Sequence, residues 1–188
     1  MKRILVILSL WVFAAGCRTA YNYIYIIAGV TLHNEDNSGI VPVDAGTNDI
    51  PAKAYAIRLE FANELTNPEQ YHNDESYYNL LNAVTTFSIT SLSDFDNTHP
   101  AGSVLNDYFL YGAATYEVNN TDSIQNKIGA IGGGKFNFAE KKGKTWTTND
   151  YLLLMQPPAF LGNRSFVIHM DLKDNTSITD TITVNLLP

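Results

Sequence analysis

Residues 166–187 read FVIHMDLKDNTSITDTITVNLL and carry the clearest structural pattern in the chain. Apolar side chains occupy every second position on both sides of Lys173–Asn175, as in two strands that each bury one face. The predicted inward side chains are Phe166, Ile168, Met170, Leu172, Ile178, Ile182, Val184 and Leu186. We therefore predict a terminal β-hairpin. Asp180 falls on its apolar face, so either a bulge shifts the register there or that end of the hairpin is open to water.

The same period of two recurs upstream. Lys53 to Phe61 alternates apolar and polar residues, and Val84 to Leu92 places Phe87 and Ile89 inward among threonines and serines. Each segment predicts a strand. Weaker strand candidates are Tyr23–Leu32, Ala114–Val118, Lys135–Phe138 and Tyr151–Met155.

Two short helices are also expected. Asp74 could cap a turn that continues to Val84, and Ser103 could cap another with Val104, Leu105, Tyr108 and Phe109 inward. Many short strands separated by Asn, Asp, Gly and Pro turns favour an all-β fold. We predict an antiparallel β-sandwich, loosely immunoglobulin-like, with one or two short helices.

Composition excludes several classes of protein. The chain has 188 residues, of which 45% are hydrophobic and 16% charged, with a net charge of -7 and one cysteine. The hydrophobic fraction is too high for a disordered chain, and the length fits one domain. Since an acidic chain without a basic stripe is repelled by phosphate backbones, we expect no nucleic-acid partner.

The first 17 residues have the pattern of a secretion signal. Lys2 and Arg3 precede the almost wholly apolar residues 4–13, and small residues then lead to Cys17. The apolar run is shorter than the roughly 20 residues that a membrane-spanning helix needs. We therefore expect a signal peptide at residues 1–16.

Ala14-Ala15-Gly16-Cys17 resembles the lipobox of bacterial lipoproteins. Together with residues 52–59 and 165–170, it makes the chain similar to the small secreted lipoproteins of Bacteroidetes that form families of unknown function. The resemblance implies cleavage before Cys17 and acylation of that cysteine, and several acyl chains would hold the protein on a membrane. An ordinary signal peptide, with the cysteine near its cleavage site by chance, is the alternative.

The resemblance also bears on location. Cleavage would leave a lipidated tether at residues 17–22 and a single β-sandwich domain at 23–188, and the mature chain would carry 10 minus 19, or -9, charges. Arg18 stands where lipoproteins retained in the inner membrane carry aspartate, which implies an outer-membrane address. The surface-export signal of that phylum has acidic residues after the cysteine, and residues 18–22 have none, which favours the periplasmic side.

Two tripeptides, Asp122-Ser123-Ile124 and Asp180-Thr181-Ile182, resemble the O-glycosylation sequence of the same phylum. Ser123 is the candidate acceptor, because Thr181 falls within a predicted strand. Two chance matches in a threonine-rich chain are the alternative, and we favour that interpretation for Thr181.

Other motifs match known phosphate-binding or metal-binding sequences only in part. Residues 129–135 match most of a phosphate-binding loop, but Phe136 stands where a magnesium-binding Ser or Thr belongs, so we predict a glycine-rich loop and no cofactor. Residues 34–39 mimic the start of a calcium loop whose twelfth position is Ala45 rather than an acid. We interpret two further turns as solvated acidic turns, with weak calcium binding as a minor hypothesis. One contains Asp94, Asp96 and Asn97, and the other contains Asp44 and Asp49.

No catalytic residue is nominated. The four histidines, His33, His72, His99 and His169, show no metal-ligand spacing, and we read the His169–Asp171 pair as a surface pair. We therefore predict a non-enzymatic protein, and a hydrolase would need a cleft with two convergent carboxylates or a Ser-His pair.

Aromatic residues give the only argument for a ligand. Trp146, with Tyr77, Tyr78 and Tyr108, could stack on sugar rings, although a place in the core or rim of the sandwich is the simpler interpretation of these rings. We predict an envelope lipoprotein that acts as an interaction or assembly module toward an unidentified protein partner. The alternative is a glycan-binding accessory lipoprotein that uses these aromatics.

Overall fold

The structure is a computed structural model that describes residues 21–66, 76–113, 121–132 and 145–188. Within these ranges the chain is mostly β-strand, with one four-residue helix, α1 (Ile124–Lys127). The strands are β1 (Tyr21–Asp36), β2 (Val43–Asp44), β3 (Ile50–Pro51), β4 (Tyr55–Leu65), β5 (Ser76–Leu80), β6 (Val84–Ser91), β7 (Phe109–Ala113), β8 (Thr121–Ser123), β9 (Thr145–Leu154), β10 (Gly162–Leu172) and β11 (Ser177–Leu187).

The strands form two sheets. The larger sheet has the order β2-β1-β4-β9-β7-β8, and β5 also pairs with β1. The smaller sheet has the order β3-β11-β10-β6. Most neighbours are antiparallel, while β5 on β1 and β3 on β11 are parallel. The prediction of an all-β sandwich is confirmed.

The core lies between the two sheets, where alternate side chains of each strand meet. Phe166 on β10 packs against Tyr55 of β4 and Phe109 of β7, with ring centroids 5.8 and 5.7 Å apart. Most of the predicted inward residues of the hairpin belong to this core, as do Phe87 and Ile89 of β6. Apolar burial of this extent is the main stabilising contribution to such a fold.

The terminal hairpin is confirmed as β10 and β11. Asp180 pairs with Ile168 in an unbroken register, so no bulge is present at that position. Asp180 is half-buried, and its carboxylate accepts a hydrogen bond from the amide of Thr181 at 2.8 Å. The second expectation, a hairpin end that is open to water, is therefore the one that fits.

Both predicted helix positions are wrong. Ser76–Leu80 is the strand β5, because its paired tyrosines favour extended backbone and it pairs with the start of β1; Asp74 itself lies outside the described residues. Residues from Ser103 form only a 3-10 turn at Asn106–Tyr108, and Val104 instead bridges to Thr90. A few apolar residues at helical spacing do not distinguish a helix from a buried loop.

The weaker strand candidates have mixed outcomes. Tyr23–Leu32 lies within the longer β1, and Tyr151–Met155 overlaps the end of β9. Ala114–Val118 and Lys135–Phe138 fall outside the described residues.

The sandwich has two distinct ends. β1 starts at Tyr21 and, at about 3.3 Å per residue, reaches Asp36 at most about 50 Å away. Asp36 pairs with Tyr55 at the start of β4, and Ala56 pairs with Leu153 at the end of β9. The chain therefore enters the first strand at one end, and the connections that follow β1, β6 and β9 lie at the other.

Candidate functional site

Exposed apolar residues are concentrated at one end of the sandwich, which we call the loop end: loops 37–42, 92–108 and 155–161, with the adjoining Val43 and Leu187. Among the described residues ten large hydrophobic side chains are exposed, and nine of them lie there. These nine are Ile40, Val41, Val43, Leu92, Val104, Met155, Phe160, Leu161 and Leu187. The tenth, Leu81, lies at the opposite end. Such a concentration of exposed apolar side chains is typical of an interaction site.

Backbone hydrogen bonds bring two of these loops together. The amide of Ala159 donates to the carbonyl of Phe95 at 3.0 Å, and the amide of Met155 donates to the carbonyl of Tyr108 at 2.9 Å. Phe95 is 1% exposed and anchors its loop in the core. Loops 92–108 and 155–161 therefore form one surface.

Arg164 clamps the two loops from below. Its Nη1 donates to Ser93 Oγ and to the carbonyl of Asp94, both at 2.7 Å, and its Nη2 donates to the carbonyl of Phe160. The side chain is buried, at 6% exposure, and its guanidinium lies 6.0 Å from the ring centroid of Phe160. A planar fork of donors suits several carbonyls at fixed positions, which a lysine could not hold together.

Asp96 organises the turn in loop 92–108. Its carboxylate accepts hydrogen bonds from the amide and hydroxyl of Thr98, both at 2.7 Å, from the amide of His99 at 2.8 Å, and from the Tyr108 hydroxyl at 2.9 Å. These donors, the Thr98 hydroxyl first, hold the pKa of Asp96 well below its usual value. The carboxylate is therefore charged at neutral pH and fixes the shape of the loop.

Tyr108, one of the predicted sugar-stacking residues, is part of this cluster. Its ring packs against Phe95 and His99 at centroid distances of 4.8 and 4.9 Å, and its hydroxyl is bound to Asp96, which raises the pKa of the phenol. The side chain is half-buried. The structure thus gives Tyr108 a supporting role within the loop.

Trp146 lies far from Tyr108. It pairs with Asn63 near the start of β9, whereas Tyr108 precedes Phe109, which pairs with Leu154 at the end of that strand. Eight residues of β9 separate the two positions, which corresponds to about 26 Å. The tryptophan is half-buried and packs against Tyr25, with ring centroids 5.2 Å apart.

Tyr77 and Tyr78 lie on β5, where they pair with Asn22 and Tyr23 at the start of β1. This is the same end of the larger sheet as Trp146. The structure therefore does not bring the four candidate aromatics together, and it separates Tyr108 from the other three.

Two modification candidates have different outcomes. Ser123 is exposed and caps α1, since its hydroxyl accepts a hydrogen bond from the amide of Asn126 at 3.4 Å. Cys17, the candidate lipidation site, lies outside the described residues.

The acidic loops use their oxygens for local contacts. Asp36 and Asp44 accept hydrogen bonds from the amides of Ser38 and Gly46, each at 2.8 Å. The second oxygen of Asp44 forms an ion pair with Arg58 at 3.0 Å. Asp49 accepts from the side-chain amide of Asn185 at 2.9 Å. Within the described ranges, no group of three or more His, Cys, Asp or Glu residues is arranged to hold a metal ion.

Two other sequence motifs are only partly described. The glycine-rich segment 129–135 begins in a 3-10 turn at Ile128–Ala130 and passes out of the described residues after Gly132. Among the histidines, His169 contacts Thr179 at 2.7 Å and Asp171 at 3.1 Å on the outer face of β10, and His72 is not among the described residues.

In the part of the chain that the structure describes, no helix is long and apolar enough to cross a membrane.

Sequence reasoning missed Arg164 and the His99–Asp96 pair, whose Nδ1 and Oδ1 atoms are 2.9 Å apart. The sequence does indicate the position of Arg164. It stands at every-second-residue spacing from Phe166, Ile168 and Met170, so the alternating pattern places its charge on the inward face of the strand. Nothing comparable marks Leu92 or Phe160 as exposed, because exposure depends on how the loops meet.

Comparison with known proteins identifies a family. Searches of the curated proteins and of the solved structures found no match. Residues 27–183 match the family described as Domain of unknown function (DUF5034), and this range includes strands of both sheets and all three loops of the loop end. The chain therefore belongs to the DUF5034 family.

Proposed function

We propose that the protein is a cell-envelope lipoprotein that acts without enzymatic activity as an interaction module and binds a protein partner with its loop end. One observation carries this proposal. Nine of the ten exposed large hydrophobic side chains of the described residues lie at the end opposite the start of β1. A concentration of exposed apolar surface lowers solubility, and it commonly marks a binding site.

The anchor in this proposal is Cys17. It lies four residues before Tyr21, so a fully extended tether would span at most about 14 Å. The start of β1 would then stay near the membrane, and the loop end could extend up to about 50 Å beyond it. The proposal assigns the protein to the outer membrane, facing the periplasm, where the loop end can reach partners beyond the lipid headgroups.

The internal bonds of the loops support binding by a preformed surface. Arg164 and Asp96 fix the backbone of loops 92–108 and 155–161 from inside, while apolar side chains of the same loops remain exposed. Little conformational entropy would be lost when such a surface binds its partner.

The test is a pair of variants that alter opposite ends. Leu92→Ser with Phe160→Ser removes apolar surface from the loop end, and Leu81→Ser is the control. Membranes are solubilised in mild detergent, and the sedimentation coefficient of the tagged protein is measured. We expect the wild type and Leu81→Ser to sediment as a complex and the loop-end variant as a free protein. Identical sedimentation of all three would contradict the proposal.

A further inference from the structure

We infer that the loop end binds a protein surface whose apolar centre is bordered by lysine or arginine side chains. The inference rests on the proposed function and specifies the chemistry of the partner. It follows from the combination of two properties in loops 92–108 and 155–161: exposed apolar side chains and uncompensated negative charge.

The apolar part consists of five side chains on loops that are hydrogen-bonded to one another or to neighbouring strands. They are between 41% and 61% exposed: Leu92, Val104, Met155, Phe160 and Leu161. The amide of Leu92 also donates to the carbonyl of Ser165 at 2.9 Å, which ties the first of these residues to the strand that follows the second loop. An interface core of this kind gains affinity from the removal of apolar area from water.

The charged part is wholly acidic. The two loops contain Asp94, Asp96 and Asp107 and not one lysine or arginine. Asp94 and Asp107 are exposed, and the hydrogen bonds to Asp96 keep its carboxylate ionised. Arg164 contacts both loops but is buried beneath them, so it offers little positive charge at the surface.

This charge decides between possible occupants. An anionic lipid surface would repel the three carboxylates, so insertion of the apolar side chains into such a membrane is disfavoured. A second copy of the chain, joined through the same end, would place like charges against each other. A basic rim on a partner protein instead complements the aspartates and would increase the association rate.

The test uses photo-crosslinking in living cells with the full chain. Phe160→p-benzoylphenylalanine places the probe at the loop end, and the same probe at Thr176, an exposed turn position at the opposite end, is the positional control. The acidic charge is then removed by Asp94→Asn with Asp107→Asn. Glu64→Gln with Asp180→Asn removes the same net charge away from the loop end. Asparagine at position 94 can still accept the hydrogen bond from Ala101, so the loop keeps its shape.

We expect a protein adduct from position 160 and none from position 176, with the probe attached beside lysine or arginine residues of the partner. The yield should fall at least about threefold when Asp94 and Asp107 are neutralised and should not change in the Glu64 and Asp180 control.

The remaining outcomes overturn one claim or both. If position 160 gives a protein adduct whose yield does not change when Asp94 and Asp107 are neutralised, the inference of a basic rim is wrong and the proposed docking function is still supported. Adducts with lipid, or with a second copy of the chain, would overturn the partner class. No adduct from position 160 would overturn the proposed function together with this inference.

Discussion

Two buried polar residues, Arg164 and Asp150, occupy inward strand positions where the alternating pattern favours apolar side chains. Each fixes a neighbouring segment to the sandwich. Arg164 holds the loop end, whereas Asp150 Oδ2 accepts a hydrogen bond from the amide of Gly132 at 2.7 Å and so holds the turn that follows α1. Buried polar groups stabilise a fold only when they are bonded, so their replacement tests these roles directly.

Asp150 should make stability depend on pH. Burial raises the pKa of this carboxyl from its ordinary value near 3.8 to about 6, and hydrogen bonds from Gly132 and Tyr111 offset only part of the effect. Between these values the folded state binds the proton more tightly than the unfolded state. The free energy of unfolding should therefore fall by about 2 kcal/mol from pH 4 to pH 6 and by less than about 0.5 kcal/mol more above pH 6.

Asp150→Asn should remove most of that fall, because an amide does not titrate between pH 4 and pH 7. The amide oxygen can still accept the hydrogen bond from Gly132, so the local structure is kept. Urea denaturation at pH 4, 5, 6 and 7 measures it, with Asp107→Asn as an exposed control that changes the net charge equally. An unchanged pH profile in Asp150→Asn would show that this carboxyl is not the cause.

Arg164→Met should destabilise the protein by about 3 kcal/mol, because the carbonyls of Asp94 and Phe160 lose a buried charged donor. Chemical denaturation gives the size of the effect, and amide exchange in loops 92–108 and 155–161 should accelerate. Lys173→Met, at an exposed turn, removes the same charge as a control. A loss of less than about 0.5 kcal/mol would mean that Arg164 does not clamp the loops.

Among the elements, β6 has an unusual edge. It is the last strand of the smaller sheet, yet Asn106 covers it: the side-chain oxygen accepts from the amide of Ile89 at 2.9 Å and its nitrogen donates to the carbonyl of Phe87 at 2.8 Å. One amide side chain thus imitates a neighbouring strand. This closes part of an edge that could otherwise pair with another chain and favours the loops as the binding surface.

Asn106→Ala should therefore reduce stability by about 1 to 2 kcal/mol and increase aggregation, because two backbone groups of β6 lose their partners. Thermal unfolding and light scattering measure the two effects. Asn97→Ala, on the exposed part of the same loop, is the matched control. If both variants behave alike, Asn106 is not an edge cap.

Period-two alternation was sufficient to predict β4, β6, β10 and β11, since each buries one face and exposes the other. It could not place β5, whose five residues become a strand through pairing with β1. The candidate site was less predictable than the strands. The loop end depends on contacts between residues more than 50 positions apart, such as Arg164 with Ser93, and these leave no local pattern.

At the scale of the whole molecule, the loop end lies at the opposite end of β1 from its first residue, Tyr21. The proposed membrane anchoring through Cys17 requires that this cysteine be acylated. We expect a labelled fatty acid to be incorporated into the wild-type chain and not into Cys17→Ser, which should be released from the membrane.

Location is tested on the same strains. Added protease should leave the wild-type protein intact on whole cells and digest it after lysis. Labelling that persists in Cys17→Ser would contradict the anchor, and digestion on intact cells would contradict the periplasmic orientation.

The most direct measurement of the central claim is hydroxyl-radical footprinting of the protein in native membranes and of the purified, acyl-free Cys17→Ser chain. Met155 and Leu81 are 58% and 55% exposed and lie at opposite ends, while Met170 is buried. If a partner covers the loop end, oxidation of Met155 should fall at least about threefold in membranes, and Leu81 should show no comparable protection. Equal oxidation of Met155 in both samples, or protection of Leu81 instead, would contradict the account.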